Sequence, residues 1–458
     1  MTSVMLISSI ALGAFFELHT IPLDEPAQRG AANAITFFAN ADNDRVADLF
    51  ILQRNKLSVV SRAGGVRETV LPQGVSAFDV ADVDGDDVYE IVAVQGRNIL
   101  RMPLSLQGDM PEPSTLFEAD SLYAGVHTGP TPTVLVVPLD ASTNGGKLGV
   151  LLPTNSGTEL RAANGDLVRQ TPYAETRSEF SVYRAEYSPA DSSLDLVFNA
   201  ISTHIPGAQP DPARASADVL THDALNALSL RNAAKDQVVN WPWFNVRSDK
   251  LKMVRAYCAI EESLNTVVRM CDVAVGPDGT AEGAIEPGPE RRYPGAMVTP
   301  SSEPPDFNGD GYADLLLWNA PQPGISVDSL LRAVVGRNWP ITLSVHLYSP
   351  VKGRFEPAAA TTLTYRIPAT WFLTGPLPLR HHVLSDFNGD GKTDLAMCTE
   401  ENEYAVWLYS DGFAATPDEK QVFPETITAI EQTADVAAKG KTSIVLRSDK
   451  HIFVLYAK

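Results

Sequence analysis

Asp386-Phe-Asn-Gly-Asp-Gly-Lys-Thr-Asp394-Leu-Ala-Met is the stretch on which the reading of this chain turns, because it recurs. A close copy is Asp306-Phe-Asn-Gly-Asp-Gly-Tyr-Ala-Asp314-Leu-Leu-Leu. Looser copies are Asp82-Val-Asp-Gly-Asp-Asp-Val-Tyr-Glu90-Ile-Val-Ala and Asn40-Ala-Asp-Asn-Asp-Arg-Val-Ala-Asp48-Leu-Phe-Ile. Each puts oxygen-bearing side chains at positions 1, 3, 5 and 9, with an apolar run directly after them. Carboxylates at every second position of a tight loop repel one another unless a cation lies among them, and hard oxygen ligands in such numbers suit calcium. Gly at position 4 or 6, where present, lets the backbone turn sharply and aim carbonyls inward.

That spacing sets the expected ligands. They are Asp306, Asn308, Asp310 and Asp314 with the carbonyl of Tyr312, and Asp386, Asn388, Asp390 and Asp394 with that of Lys392. The looser loops offer Asp82, Asp84, Asp86 and Glu90 with Val88, and Asn40, Asp42, Asp44 and Asp48 with Val46. Asp, Asn and Gly are also ordinary turn residues, so the alternative for a lone copy is a plain turn between strands; four copies in one register are far harder to read that way. An EF-hand needs a bidentate Glu at position 12 between two helices. Position 12 here is Ile51, Ala93, Leu317 or Met397, and the residues beyond it are strand-like.

Between Asn40 and the next loop at Asp82, apolar runs alternate with turn signals. Asp48-Leu-Phe-Ile-Leu, Leu57-Ser-Val-Val-Ser, Val66-Arg-Glu-Thr-Val-Leu and Val75-Ser-Ala-Phe-Asp-Val are separated by Gln53–Lys56, Ala63–Gly65 and Pro72–Gly74. Four short strands in one such unit is the size of a propeller blade. Degenerate copies start near 140, 187, 245 and 435. The last runs Asp435-Val-Ala-Ala-Lys-Gly-Lys-Thr-Ser443 and has Lys439 where a ligand belongs, which argues against metal there. The prediction is an all-β, seven-bladed β-propeller, with eight blades as the alternative count. His451-Ile-Phe-Val-Leu-Tyr456 reads as a final strand, and the region around Ala34 to Phe38 as its companion in a mixed last blade that closes the ring.

These loops and units resemble the FG-GAP/VCBS repeat superfamily, the calcium-loop propellers related to the integrin alpha-subunit head. The resemblance covers almost the whole chain after residue 35 and is specific in the 306 and 386 loops. It implies a seven-bladed propeller with calcium in the loop before an inner or second strand of a blade. It implies no particular ligand, since that superfamily includes adhesion heads, lectins, and polysaccharide lyases and dehydratases.

The remaining composition agrees with a single closed unit spanning 17–458. At 458 residues and 44% hydrophobic, the chain has enough apolar content for a packed interior. The formal charge is −20, and much of that acidity sits in the loops. No basic stripe exists to contact phosphate backbones, so a nucleic-acid partner is not expected. Residues 1–16 are apolar and too short to cross a membrane. They read as a secretory signal with Ala11-Leu-Gly13 as the cleavage site, or as a buried first strand. Export to the periplasm, cell surface or medium, where millimolar calcium is available, is the expectation, with no integral membrane segment and a monomeric state. Cys258 and Cys271 flank a predicted hairpin and would be free to pair outside the cell; Cys398 reads as a small core residue.

Two stretches break the repeat. Residues 203–244 combine a Pro-rich loop, a predicted helix within Ser216–Asp236 and the cluster Trp241-Pro-Trp243-Phe244; residues 321–340 contain a second predicted helix. Trp241 and Trp243 either form a platform for a sugar ring or pin the insertion to the scaffold. Catalytic candidates are thin: His346, Tyr348, Tyr365 and Arg366 on predicted strands, and His381 and His382, which as strand neighbours point apart. No nucleophile elbow, phosphate loop or zinc spacing occurs. The expected role is a calcium-binding module for a carbohydrate or protein ligand, and an enzyme is the lesser expectation. A polysaccharide lyase or dehydratase on the same scaffold, and a cell-envelope accessory protein, are the alternatives.

Overall fold

The computed structural model describes residues 8–12, 15–23, 34–41, 46–62, 65–84, 88–104, 112–125, 130–133, 135–139, 148–154, 157–172, 182–188, 193–198, 238–240, 244–247, 250–260, 264–272, 274–275, 281–282, 289–298, 305–320, 338–368, 371, 379–437 and 439–458. These residues are almost entirely strands and turns, with one short 3-10 turn at Leu122–Gly125.

Each apolar run after a loop is an inner strand buried on both faces. Leu49, Phe50, Ile51 and Leu52 are all at most 2% exposed. Leu49 and Ile51 pack with Val445, Ile452 and Val454, whereas Phe50 and Leu52 pack with Phe78, Ile91 and Ala93. The next run repeats the arrangement. Ile91 and Ala93 face back toward Phe50, and Val92 and Val94 face Val150 and Leu152. A strand sandwiched between two neighbouring sheets has no solvent face, which is why these runs are continuous and not alternating.

Among the described residues there are seven sheets of four or five strands, and within most of them sequential strands pair antiparallel. The 40 sheet is Ile35–Ala39, Asp48–Gln53, Lys56–Val60 and Val66–Val70 in that order. The 82, 140, 306, 386 and 435 loops hold the same place, between the first and second strands of their sheets. The sequence-based unit is therefore out of phase by one strand. Val75–Ala81 is the first strand of the 82 sheet and not the last of the 40 sheet. The turn at Pro72–Gly74, with Gly74 at φ +86°, is the passage between sheets. Shared cores join the sheets in chain order: Phe307, Leu316, Leu395, Met397, Ile444 and Phe453 unite the 306, 386 and 435 sheets. Sequential four-stranded meanders packed face to face in this way define a β-propeller-like fold.

The last sheet is built from both ends of the chain. Phe16–Pro22 pairs with His451–Ala457 over seven residues, from Phe16↔Ala457 to Pro22↔His451. Ser8–Leu12 then adds outside Phe16–Pro22. The sequence pointed to Ala34–Phe38 as the companion of the final strand, and the structure corrects this. Ile35–Ala39 is tied by its own short loop to Asp48–Gln53, a local closure that costs less chain entropy than a distant one.

The predicted helices in 203–244 and 321–340 fall on residues 216–236 and 327–335, outside the described residues, as do Trp241 and Trp243. The ends of both stretches belong to sheets. Val238–Asn240 and Phe244–Arg247 pair with Lys250–Ile260, and Asn338–His346 is a full strand of the 306 sheet. Cys258 and Cys271 do lie on the two arms of a hairpin, but Cys258 is opposite Thr266 and Cys271 opposite Met253. Five residues of strand separate them, roughly 17 Å at ~3.4 Å per residue, so this register does not let them pair.

Candidate functional site

The 306 and 386 loops are near-copies in space as well as in sequence. Asp306 Oδ1 accepts the amides of Gly309 and Asp310 at 2.8 and 3.2 Å, and Oδ2 accepts that of Gly311 at 2.7 Å. Asp386 takes the amides of Gly389 and Gly391 at 2.6 and 2.7 Å. Asn308 and Asn388 accept the amides of Asp310 and Asp390, and those aspartates accept the amides of Tyr312 and Lys392. The loop thus coils around its first side chain. The coil needs left-handed backbone at positions 4 and 6, supplied by Gly309, Gly311, Gly389 and Gly391 at φ +71° to +82°.

Position 9 points the other way, into the sheet. Asp314 Oδ2 accepts the amide of Phe307 at 2.9 Å and Oδ1 that of Tyr348 at 2.8 Å. Asp394 repeats this with Phe387 and Tyr409. Each carboxylate therefore clasps the start of its loop to the backbone just past the third strand of its sheet. Burial pushes Asp314 up to about 7; its two amide donors pull it back, and the neighbouring carboxylates of Asp306 and Asp310 push it further. Asp394 is likewise raised to about 7, with Asp386 and Asp390 as the repelling charges.

The 82 loop is different. Asp82, Asp84 and Glu90 each present an oxygen within 4.8 Å of the others, and this is the one such acidic triple found among the described residues. Asp86 is outside them. Glu90 Oε2 accepts the Val83 amide at 2.9 Å. Its other oxygen meets Arg101, whose second terminal nitrogen reaches Asp84 at 2.6 Å. In the 40 loop, Asp48 accepts the Ala41 amide at 3.0 Å. Asn40 and Val46 stand at its two ends, while Asp42 and Asp44 lie outside the described residues. The 435 loop keeps the frame without the ligands: Asp435 accepts the amides of Lys439 and Gly440, and Ser443 accepts that of Ala457 at 3.1 Å.

The loops stack along one rim. The Thr393 amide donates to the Asp306 carbonyl, that of Thr442 to Asp386, and that of Ala47 to Val436, all at 2.8 Å. A Cβ on Gly309 would lie 3.1 Å from the Gly391 carbonyl oxygen. The order 306, 386, 435, 40 follows the order of the sheets.

The 306 and 386 loops fit calcium by donor chemistry: all-oxygen side chains, glycine-permitted coiling and mutually repelling carboxylates. A carboxylate offers about four lone-pair sites, so the two amides on Asp314 or Asp394 leave capacity for a metal.

The residues weighed as catalytic candidates each have local structural partners. His346 is buried, its Nδ1 at 2.9 Å from the Glu356 carbonyl and its ring edge-on to Tyr293, and burial lowers its pKa. Tyr365 is in the core while Arg366, its strand neighbour, is exposed. Tyr348 stacks on Tyr312 with ring centroids 5.3 Å apart. His382 Nδ1 lies 3.1 Å from the Leu379 carbonyl, and burial together with Arg380 holds His381 down at about 4. Sequence reading missed two contributors. Arg101 is one. Asp79 is the other: it accepts the amides of Leu135 and Val136 at 2.8 Å and so fastens the 82 sheet to the 140 sheet.

No family model matches the sequence, and no curated protein matches it. Solved structures resemble it weakly. A streptogramin B lyase aligns at 11% identity and TM-score 0.32 over 97% of this chain and 98% of its own. An Agrocybe aegerita lectin that recognises non-reducing terminal N-acetylglucosamine gives 11% and 0.33 over 91% and 88%. The V. cholerae biofilm matrix protein Bap1 gives 10% and 0.31 over 99% and 91%. Scores of this size carry no inference, so the class of the chain, an all-β propeller-like protein, rests on its own sheet topology.

Proposed function

We propose that this chain is an exported calcium-loop propeller of the FG-GAP/VCBS kind, with seven blades (eight as the alternative), acting as a binding module for a carbohydrate or protein ligand. The observation that carries it is the pair of coiled loops at 306 and 386, each holding acidic groups that repel one another beside a buried carboxylate. Calcium held by Asp306, Asn308, Asp310, Asp314 and the Tyr312 carbonyl, and by Asp386, Asn388, Asp390, Asp394 and the Lys392 carbonyl, would neutralise those charges and stiffen the rim. A calcium need of that kind suits a protein outside the cytoplasm. Specificity must come from parts that do not repeat, and Trp241 and Trp243 are the residues we assign to the ligand surface. The test has two parts. Calorimetry on chelator-stripped protein should show at least two calcium sites; none would end the calcium reading. A glycan array run beside a lyase assay on acidic polysaccharides should give binding without turnover. Cleavage by the wild type would replace the binding module with the lyase.

A further inference from the structure

The sheets that carry the loop frame can be superposed through their own registers, and one position then separates the 82 sheet from the 40, 306, 386 and 435 sheets. Two residues beyond position 9, the inner strand faces a residue on the third strand. That residue is Val59 opposite Phe50, Val345 opposite Leu316, Val406 opposite Ala396 and Val454 opposite Val445. All four valines are at most 3% exposed. In the 82 sheet the equivalent residue, opposite Val92, is Arg101. The same sheet is the one whose position 9 is Glu and not Asp or Ser. Two departures from the repeat therefore occur together and touch. Arg101 Nη2 lies 2.5 Å and Nε 3.0 Å from Glu90 Oε1, and Nη1 lies 2.6 Å from Asp84.

We infer that the Arg101 guanidinium is the resident cation of the 82 loop, standing where the other acidic loops are left to take calcium. The extra methylene of Glu90 carries its second oxygen past the position used in the other sheets. There the amide of Tyr348, Tyr409 or Ala457 meets the residue at position 9. In the 82 sheet the corresponding amide, that of Leu104, donates to the Tyr89 carbonyl instead. The planar fork of arginine then spans two carboxylates, which an ammonium cannot do with the same geometry. A guanidinium bound to Asp84 and Glu90 engages two of the three convergent carboxylates and brings a fixed positive charge to the loop. Among the described residues, the close acidic triple thus belongs to a loop that needs no metal.

The test uses the full chain with calcium as the probe, by calorimetric stoichiometry and by melting in chelator. Only the stoichiometry arm rests on the calcium reading of the neighbouring loops. Asp84→Asn, at a side chain about one third exposed, should leave the number of bound calcium ions at the wild-type value; the loss of one ion overturns the inference. Arg101→Val with Glu90→Asp restores the pattern of the other sheets and should add one calcium ion; an unchanged count overturns it. Arg101→Val alone should melt lower than wild type in chelator. Adding Asp84→Asn should recover part of that loss by removing a carboxylate left without its partner. Additive losses would show that Arg101 acts only through packing. If the wild type binds no calcium, the calcium reading falls, while the chelator melts still decide the role of Arg101.

Discussion

The 386 and 435 loops share a frame and little else. Both open on an aspartate that accepts loop amides, and both close on a buried side-chain oxygen that accepts an amide at or just past the end of the third strand, from Tyr409 to Asp394 and from Ala457 to Ser443. Between these points the 386 loop carries Asn388 and Asp390, and the 435 loop carries Ala437 and Lys439. The coil is thus set by positions 1 and 9, and acidity at positions 3 and 5 is separable from it. An acidic repeat can lose its polar side chains at positions 3 and 5 and keep its blade.

The largest expected effect removes the partner of that clasp altogether. Deleting residues 449–458 takes away Ala457 and the strand that joins both ends of the chain, and should give insoluble protein; a soluble product with an unchanged melt would show the closing sheet to be dispensable. Next is Asp394→Ala, which orphans the buried amides of Phe387 and Tyr409. At about 1–3 kcal/mol each, the loss in chelator should be about 2–6 kcal/mol by denaturant titration. A loss below about 1 kcal/mol, the lower bound for a single orphaned amide, would mean that position 9 matters only through metal. Third, millimolar calcium should stabilise the wild type by about 2.7 kcal/mol per site at a hundredfold excess over its dissociation constant. Asp390→Ala should cancel one site's share yet melt as wild type in chelator; superimposed wild-type melts with and without calcium would make the loops ordinary turns. Fourth, Ser443→Ala should cost about 1 kcal/mol, the usual worth of one hydrogen bond, and equally in calcium and chelator. A calcium-dependent loss would mean that the 435 loop binds metal despite Lys439. The smallest effect concerns the cysteines: melts with and without reductant should coincide, since Cys258 and Cys271 are out of register. A bridged Cys258–Cys271 peptide in a mass map would contradict that register.

Much of the blade was legible because its chemistry is local. The loop is a string of neighbouring residues, and the doubly buried strand after it writes its burial as an unbroken apolar run such as Leu49–Leu52. The phase of the repeat was not legible. Whether Val75–Ala81 ends one sheet or starts the next depends on pairing across Asp82–Glu90, which hydrophobic pattern does not encode. The companion of the final strand was missed for a like reason: Phe16–Pro22 and Ile35–Ala39 are similar apolar segments, and only the short connection to Asp48 assigns the second elsewhere. Aspartate at position 9 of an acidic loop invites a ligand reading, and that reading does not by itself disclose a second role. Its inward clasp was visible only as the persistence of an acceptor there, Ser443 included, when the other ligands were gone. Arg101 did leave a trace, as a charged residue where the 40, 306, 386 and 435 sheets carry valine, but that trace requires the strand registers.

Pairing an early strand with a distant late one also sets a timetable. Phe16–Pro22 leaves the ribosome long before its partner His451–Ala457 is made. At about 5–20 residues per second, the wait is on the order of tens of seconds. Throughout it, the apolar side chains of Phe16, Leu18 and Ile21, buried in the finished protein, have no sheet to join, and the 40 sheet lacks the neighbour that covers Leu49 and Ile51. Each nascent copy therefore offers an open, sticky flank that another nascent copy could meet first. The yield of soluble protein should depend on how crowded synthesis is and on which holding factors are near, long before the stability of the finished ring has any say.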